Sequence, residues 1–203
     1  GINKNDNTPA YLDINIEGEN ILYVNTNNTG FEDGTSWNTA YKTIQPAIDT
    51  AFNLGGGEVW VAQGIYDEPR NESNTGSIIM KENVHLYGGF SVKNNHRDWE
   101  KNTTILDGSI ALNGQPAYHV IIGANNSTLD GFVVSGGQAN GGYPNNVIGG
   151  GMLNISTSPT VSNCTFSGNI STFYGGGMSN HFGNSSPIVT NCLFEDNIAG
   201  AGA

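Results

Sequence analysis

The stretch Gly149-Gly150-Gly151-Met152-Leu153-Asn154 returns 26 residues later as Gly175-Gly176-Gly177-Met178-Ser179-Asn180. A second block, Pro159 to Ile170, returns 28 residues later as Pro187 to Ile198 and keeps its Pro, Val, Asn-Cys, Phe and Asn-Ile in the same order. The two additional residues lie between the blocks, and an insertion at such a place is typical of a loop in a repeat protein. The C-terminal third of the chain is therefore built from a repeat of 26 to 28 residues.

This repeat predicts an all-β fold made of stacked coils. Its apolar runs are short and are bounded by Gly, Asn, Ser and Pro, which is typical of strands. No single run is long enough to form a core, so equivalent runs are expected to stack in parallel about 4.8 Å apart and to share one narrow core. The prediction is a right-handed parallel β-helix, a solenoid of about four to five coils with an N-terminal capping helix.

Weaker copies of the repeat lie upstream. Residues 128–137 fit the second block if Val134 takes the position of Phe166. Residues 77–90 in turn resemble residues 119–131. These copies extend the predicted coils into the first half of the chain.

The chain is predicted to have three parts. Residues 1–20 form an N-terminal extension, residues 21–57 hold an initial strand and the capping helix, and residues 58–203 form the coils. The sequence stops where a third Gly-Gly-Gly-Met block is due, so we expect the coils to be truncated at their C-terminal end. An uncapped last coil exposes strand edges that pair readily with another chain, and self-association through that end is the expected consequence.

The capping helix is predicted from its apolar spacing. Apolar residues at positions 44, 47, 48, 51 and 52 follow the i, i+3, i+4, i+7 pattern of one helix face. Thr43 is placed to cap the start of the helix, and the glycines at 55–57 end it. The apolar face is expected to cover the open end of the core.

Two pairs of asparagines are predicted to occupy corners of the coils. Asn163 pairs with Asn191, and Asn169 with Asn197, because each pair holds the same place in the repeat. Asn tolerates the left-handed backbone angles of tight corners, and stacked side-chain amides bond to one another along a ladder. A turn residue without an amide ladder is the alternative, and both interpretations give these residues a structural role.

Cys164 and Cys192 also share one position of the repeat, and so do Phe166 and Phe194. Parallel strands in register hold equivalent Cβ atoms about 4.8 Å apart, whereas a disulfide prefers about 3.8 Å. The two cysteines are therefore predicted to be free thiols that face the core. No His or further Cys shares their ladder, so neither a metal nor a cofactor is expected.

The charge of the chain excludes several classes of partner. The sequence has 7 Lys and Arg against 18 Asp and Glu, a net charge of −11, and no Lys or Arg follows Lys101. A nucleic-acid partner requires a basic surface that neutralises phosphate, so no nucleic acid is expected. An apolar run of about 18 residues, which a spanning helix needs, is missing, so no transmembrane segment is predicted.

Several stretches are similar to a known group of proteins. They are Tyr23-Val24-Asn25, Val59–Tyr66, Leu86–Phe90 and the paired Gly-Gly-Gly-Met and Asn-Cys blocks. They resemble bacterial secreted and surface proteins with right-handed parallel β-helix repeats, including chlamydial polymorphic membrane proteins, within the pectin-lyase-like superfold. The resemblance covers residues 21–203. It implies an extracellular or cell-surface location and adhesion, with a host or environmental glycan or a surface protein as partner, but no shared chemistry.

The same superfold contains polysaccharide lyases and glycoside hydrolases, whose catalytic groups are scarce in these repeats. A lyase needs a base together with cations that neutralise the uronate, and no cationic side chain follows Lys101. A hydrolase needs two carboxylates that face each other across the sugar, and only Asp107 and Asp130 are candidates for such a pair. Both stand in Leu-Asp-Gly, which is also an ordinary corner sequence.

Aromatic side chains in the loops are the candidates for sugar contact. Trp99, Tyr143, Tyr174 and Phe182 lie where loop lengths vary, and aromatic rings offer large apolar faces for a sugar ring. The sequence thus predicts a secreted or cell-surface scaffold for adhesion or glycan contact, without catalytic activity in this part of the protein. The alternative is a polysaccharide lyase or glycoside hydrolase whose active site lies outside residues 1–203.

Overall fold

The structure, a computed structural model, describes residues 20–181 and 183–200. Almost all of the predicted N-terminal extension, residues 1–19, therefore lies outside the described residues. Strands dominate the described chain, in the order β1 (Ile21–Val24), a 3-10 helix (Trp37–Thr39), α1 (Ile44–Asn53), β2 (Gly57–Ala62), β3 (Gly64–Tyr66), β4 (Ile78–Ile79), β5 (Val84–Ser91), β6 (His96–Arg97), β7 (Thr104–Asp107), β8 (Ile121–Ile122), β9 (Thr128–Asp130), β10 (Val133–Ser135), β11 (Gln138–Ala139), β12 (Met152–Ile155), β13 (Thr160–Ser162), β14 (Thr165–Ser167), β15 (Ile170–Ser171), β16 (Met178–His181), β17 (Ile188–Thr190), β18 (Leu193–Glu195) and β19 (Ile198–Ala199).

Four sheets stack these strands into coils. Sheet 1 has the order β1-β2-β5-β9-β13-β17, sheet 2 the order β3-β7-β10-β14-β18, sheet 3 the order β11-β15-β19 and sheet 4 the order β4-β8-β12-β16. Neighbours in these ladders are parallel, whereas the short β6 pairs antiparallel with the end of β5. One passage from sheet 1 to sheet 4 completes a coil. The chain completes four coils and begins a fifth with β17, which confirms the predicted parallel β-helix.

The register of the coils follows the repeat. Met152 lies beside Met178, and Val134 lies beside Phe166 as the alignment predicts. Because side chains of a strand alternate between its two faces, every second residue of sheet 1 points inward. The buried inward ladder of sheet 1 consists of Leu22, Val59, Leu86, Leu129 and Val161.

Helix α1 covers the first coil, as predicted. Ile44, Ala47, Ile48 and Ala51 are fully buried against the first strands, whereas Phe52 is 47% exposed. Phe52 therefore belongs to the edge of the apolar face rather than to its centre. The expected cap at Thr43 is only partly present: its backbone is extended, as at an N-cap, but its side chain makes no capping hydrogen bond.

The last described coil leaves its apolar positions exposed. Val189 and Phe194 continue the inward ladders of Val161 and Phe166, yet they are 40% and 45% exposed. Their strands β17 and β18 are the terminal strands of sheets 1 and 2. The two ends of the described stack therefore differ, because only the N-terminal end has an apolar helix packed over it.

Candidate functional site

Four loops project from one corner of the coil. Each loop leaves a strand of sheet 2 or 3 and enters the next strand of sheet 4. Since the flanking strands stack in register, the loops lie one above another along the axis of the stack. We call this corner the loop face; its loops are residues 67–77, 108–120, 140–151 and 172–177.

Backbone hydrogen bonds connect successive loops of the loop face. The N–H of Tyr118 donates to the carbonyl of Thr75 (2.8 Å), which joins the second loop to the first. The N–H of Val120 donates to the carbonyl of Gly150 (3.1 Å) and that of Phe173 to the carbonyl of Val147 (2.9 Å). The loops therefore form an ordered surface, because each has backbone groups paired with its neighbour.

Arg70 fixes the first loop. One guanidinium nitrogen donates to the carbonyls of Tyr66 (2.8 Å) and Asp107 (2.9 Å), and Glu68 lies 3.7 Å from Nε. The side chain is buried, and burial lowers its pKa from the ordinary value while Glu68 opposes that shift. Arg70 thus serves as an internal tie between the first and second coils.

His119 ties the second loop to the third. Its ring lies almost wholly inside the protein, and Nδ1 lies 2.9 Å from the carbonyl of Gly149. Burial lowers the pKa of His119, because a charged imidazole loses hydration there. The neutral ring with a proton on Nδ1 satisfies this hydrogen bond.

Tyr143 and Tyr174 both lie on the loop face. Tyr143 is 82% exposed and Tyr174 is 54% exposed, and they belong to neighbouring loops joined by the hydrogen bond from the N–H of Gly149 to the carbonyl of Tyr174 (3.0 Å). Phe173, also exposed, places its ring centroid 6.4 Å from that of Tyr174. Two of the four aromatic residues predicted to contact sugar therefore lie on the loop face, and Phe182 lies outside the described residues.

A cleft lies between the second and third loops. Its volume is about 330 Å³, and its wall is polar but uncharged. The lining residues include Asn113, Gln115, Pro116, Tyr118, Gln138 and Asn140.

Trp99 lies on a different surface. The segment between β5 and β7 folds back over the corner between sheets 1 and 2, where a Cβ atom on Gly89 would come within 2.6 Å of the Trp99 backbone. The half-buried Trp99 ring lines a cleft of about 310 Å³ with Phe132 and Asn163. Trp99 therefore does not join Tyr143 and Tyr174.

Asp107 and Asp130 lie on different sheets and have different partners. The carboxylate of Asp130 pairs with Arg97 and accepts hydrogen bonds from the Ser162 hydroxyl and from Asn163 Nδ2. The carboxylate of Asp107 accepts the N–H of Ser109 at 2.8 Å, which closes a local turn. Both carboxylates thus make contacts that hold corners of the coils.

The two predicted asparagine pairs occupy two kinds of corner position. Asn163 and Asn191 have φ values of 53° and 50°, and Asn191 Nδ2 donates to Asn163 Oδ1 at 2.7 Å. Asn169 is buried, and its Nδ2 donates to Asn197 Oδ1 (3.1 Å) and to the carbonyl of Val134 (2.9 Å). The left-handed backbone expected at Asn169 and Asn197 is not observed. The residues that precede them, 168 and 196, adopt it instead.

A third amide ladder was missed by sequence analysis. Asn154 Nδ2 donates to Asn180 Oδ1 at 2.8 Å, at the end of sheet 4. The signal was present, because both residues end the repeated Gly-Gly-Gly-Met block. Their place in the repeat was sufficient to suggest the same role as the other pairs.

The cysteine pair lies between sheets 1 and 2. Cys164 and Cys192 are free in the structure, the first buried and the second half-buried. Burial raises the pKa of the Cys164 thiol, and its hydrogen bond to Cys192 lowers the pKa of the Cys192 thiol. Next to them, the Phe166 and Phe194 rings stack with centroids 4.9 Å apart.

A second aromatic group, on the outer face of sheet 1, was also missed. Tyr23, Trp60 and Tyr87 occupy one outward ladder, and the Trp60 ring stacks on Phe90 at 4.5 Å. The Arg97 guanidinium lies over Tyr87, 5.3 Å from the ring centroid. These half-buried rings pack chiefly on one another. The alternating aromatic positions in the three strand sequences were the available signal.

Neither a metal site nor a membrane-spanning helix is found in residues 20–181 and 183–200. No group of three or more His, Cys, Asp or Glu side chains in these ranges is arranged to hold a metal ion. No helix there has the length and apolar character required to span a membrane.

The stacked sheets and the loop-bearing corner define the class of the protein, a parallel β-helix repeat protein. Within that class, the chain belongs to the family described as "Protein of unknown function (DUF1565)", which matches residues 24–200. No curated protein and no solved structure matches the chain. The family match includes the capping helix, all coils and the whole loop face.

Proposed function

We propose that this protein is a secreted or cell-surface scaffold whose loop face contacts glycan. The observation that supports the proposal is the position of Tyr143 and Tyr174, two exposed rings on neighbouring loops of a face that also holds an uncharged polar cleft. Aromatic faces with a few polar groups around them are suited to sugars, whose rings have apolar faces and hydroxyl edges.

The stack beneath the loops supports such a contact. Each loop begins and ends in a strand that is paired on the ladder, and the loops are bonded to one another. Loops on a rigid frame are where binding residues commonly lie. Because the surface is ordered before a ligand arrives, binding loses less conformational entropy.

Secretion, surface display and adhesion are part of the same proposal. They rest on the resemblance of the Gly-Gly-Gly-Met and Asn-Cys repeats to those of surface β-helix proteins. A host or environmental glycan is the partner that the loop face favours, since its second, third and fourth loops expose rings, hydroxyls and amides rather than charges.

A binding measurement on loop-face variants tests the proposal. Tyr143→Ala combined with Tyr174→Ala is expected to weaken glycan binding by about tenfold or more, because both rings lose their contact with sugar. Calorimetry or affinity electrophoresis against a panel of soluble polysaccharides provides the measurement. Circular dichroism checks that the variant retains its fold.

Phe31→Ala is the matched control, since Phe31 is 75% exposed but lies before α1, away from the loop face. It is expected to bind as the unchanged protein does. Equal binding by the double variant, or a loss caused by Trp99→Ala alone, contradicts the proposed surface. Release of unsaturated products or of new reducing ends from any polysaccharide supports an enzyme instead.

A further inference from the structure

Charge is unevenly distributed along the stack. Asp130 is the only Asp, Glu, Lys or Arg between residues 108 and 194, and Arg97 pairs with it on the outer side of sheet 1. The second, third and fourth loops of the loop face therefore contain no charged residue of these types. The first loop differs, because it carries Asp67, Glu68, Arg70 and Glu72.

The cleft between the second and third loops offers hydrogen-bonding groups that are free. The side-chain amides of Gln115, Gln138 and Asn140 make no hydrogen bond to another residue in the described ranges. Each amide has both donors and an acceptor. A sugar hydroxyl, which also donates and accepts, finds complementary groups there.

A charged sugar meets a less favourable surface. A uronate or sulfate that loses water at the second, third or fourth loop meets no Lys or Arg on these loops, and an uncompensated charge is costly to desolvate. The net charge of −11 further opposes the approach of a polyanion. A neutral sugar avoids both costs.

We infer that the ligand of the loop face is a neutral glycan, a chain of uncharged sugars, rather than a uronate or sulfated polymer. The inference rests on the proposed glycan contact and specifies its ligand class. Tyr143 and Tyr174 provide the stacking surfaces, and the amides of Gln115, Gln138 and Asn140 bind hydroxyls. Because the loops lie above one another, the sugar chain extends along the axis of the stack.

Matched polysaccharides test the ligand class. Binding of the whole chain is measured by calorimetry to neutral β-glucan, xylan, mannan and galactan, each compared with its own carboxymethylated form. At least one neutral polymer is expected to bind, with at least tenfold weaker binding of its carboxymethylated form. The affinity for that neutral polymer is expected to stay constant between low and high salt, because its binding involves no ion pairs that salt could screen.

Failures of the two proposals are distinguishable in this comparison. Equal or tighter binding of a carboxymethylated polymer, or an affinity that falls steeply with salt, overturns the neutral-ligand inference and leaves glycan contact standing. Lack of binding to every neutral and charged polymer overturns both.

A lysine substitution in the cleft tests whether the cleft is the glycan-binding site. Asn140→Lys is expected to raise the affinity for the carboxymethylated polymer by about tenfold and to weaken binding of the neutral one. Asn125→Lys, at an exposed position outside the loop face, is the matched control and is expected to change neither affinity by more than about twofold. Equal effects of the two substitutions contradict a site in the cleft.

Discussion

In three successive coils, a single residue turns the chain at the corner that follows sheet 1. Gly131, Asn163 and Asn191 follow equivalent strands of sheet 1, and their φ values of 82°, 53° and 50° are left-handed. Most residues are strained at such angles, whereas Gly and Asn tolerate them. Asn adds an amide that bonds to the next coil, so one residue type both turns the chain and joins two turns.

Cys164 and Cys192 are expected to be free thiols in solution. Two reactive thiols per chain are expected after denaturation without reductant, because equivalent ladder positions hold Cβ atoms too far apart for a relaxed disulfide. In the native protein Cys192 is expected to react first, since its pKa is lowered while that of the buried Cys164 is raised. Timed alkylation followed by mass spectrometry measures both. Fewer than two thiols after denaturation argues against the stacking.

His119 predicts a pH dependence of stability. Its pKa is lowered in the folded protein, so below the unfolded value of about 6.5 the unfolded chain binds the proton more strongly. Its stabilising contribution is therefore complete above about pH 6.5 and is lost as the pH falls toward and through the folded pKa. Urea unfolding at several pH values is expected to show a smaller slope between pH 7 and 5 for His119→Gln. A slope as steep for His119→Gln as for the unchanged protein contradicts this role of His119.

Helix α1 closes the first coil in two ways. Its apolar face covers the core, and Gln45 completes the edge of sheet 4. Gln45 Oε1 accepts the N–H of Ile79 (2.8 Å) and Gln45 Nε2 donates to the carbonyl of Ile79 (3.2 Å). The side-chain amide thus takes the place of a neighbouring strand, and the exposed edge of β4 is partly satisfied.

Ile48→Asp is expected to destabilise the protein by about 4 kcal/mol, because it places a carboxylate over the apolar core. Ile48 is fully buried, whereas Phe52 on the same helix is 47% exposed. Phe52→Asp is therefore the matched control and is expected to cost about 1 kcal/mol or less. Equilibrium urea unfolding gives both values, and equal losses contradict the assigned buried face.

The last coil has a different expected behaviour. Val189, Leu193 and Phe194 expose apolar surface beside strands without a further partner in the described chain. Residues 187–198 are therefore expected to exchange amide hydrogens rapidly in dilute solution, or to become protected as the protein self-associates. Hydrogen exchange at two concentrations measures this. Strong protection of 187–198 in a dilute monomer, with rapid exchange in 43–52, contradicts the assignment of the two ends.

Charge divides the chain into two parts. All seven Lys and Arg lie in the first half, where α1, Arg70 and Arg97 join the first coils. The following coils are rich in Asn, Ser, Thr and Gly, and their polar groups are joined in amide ladders or exposed on the loop face. A charged N-terminal half is thus combined with a C-terminal half that carries few charges.

The repeat and the helical spacing of residues 44–52 are sufficient to predict the stack, its register and the helix over its first coil. In a parallel stack, equivalent residues of successive copies become neighbours, so the repeat specifies which residues meet, as with Met152 and Met178. The folded chain was needed to show that Tyr143 and Tyr174 lie on one face. It was also needed to show that Asp130 pairs with Arg97 and that Trp99 lies elsewhere. Loops of unequal length contain no repeat to align, and the contacts of Asp130 join segments 33 residues apart through a segment that folds back over a corner. Their positions follow from how the coils close in space, which the spacing of residues along the chain does not specify.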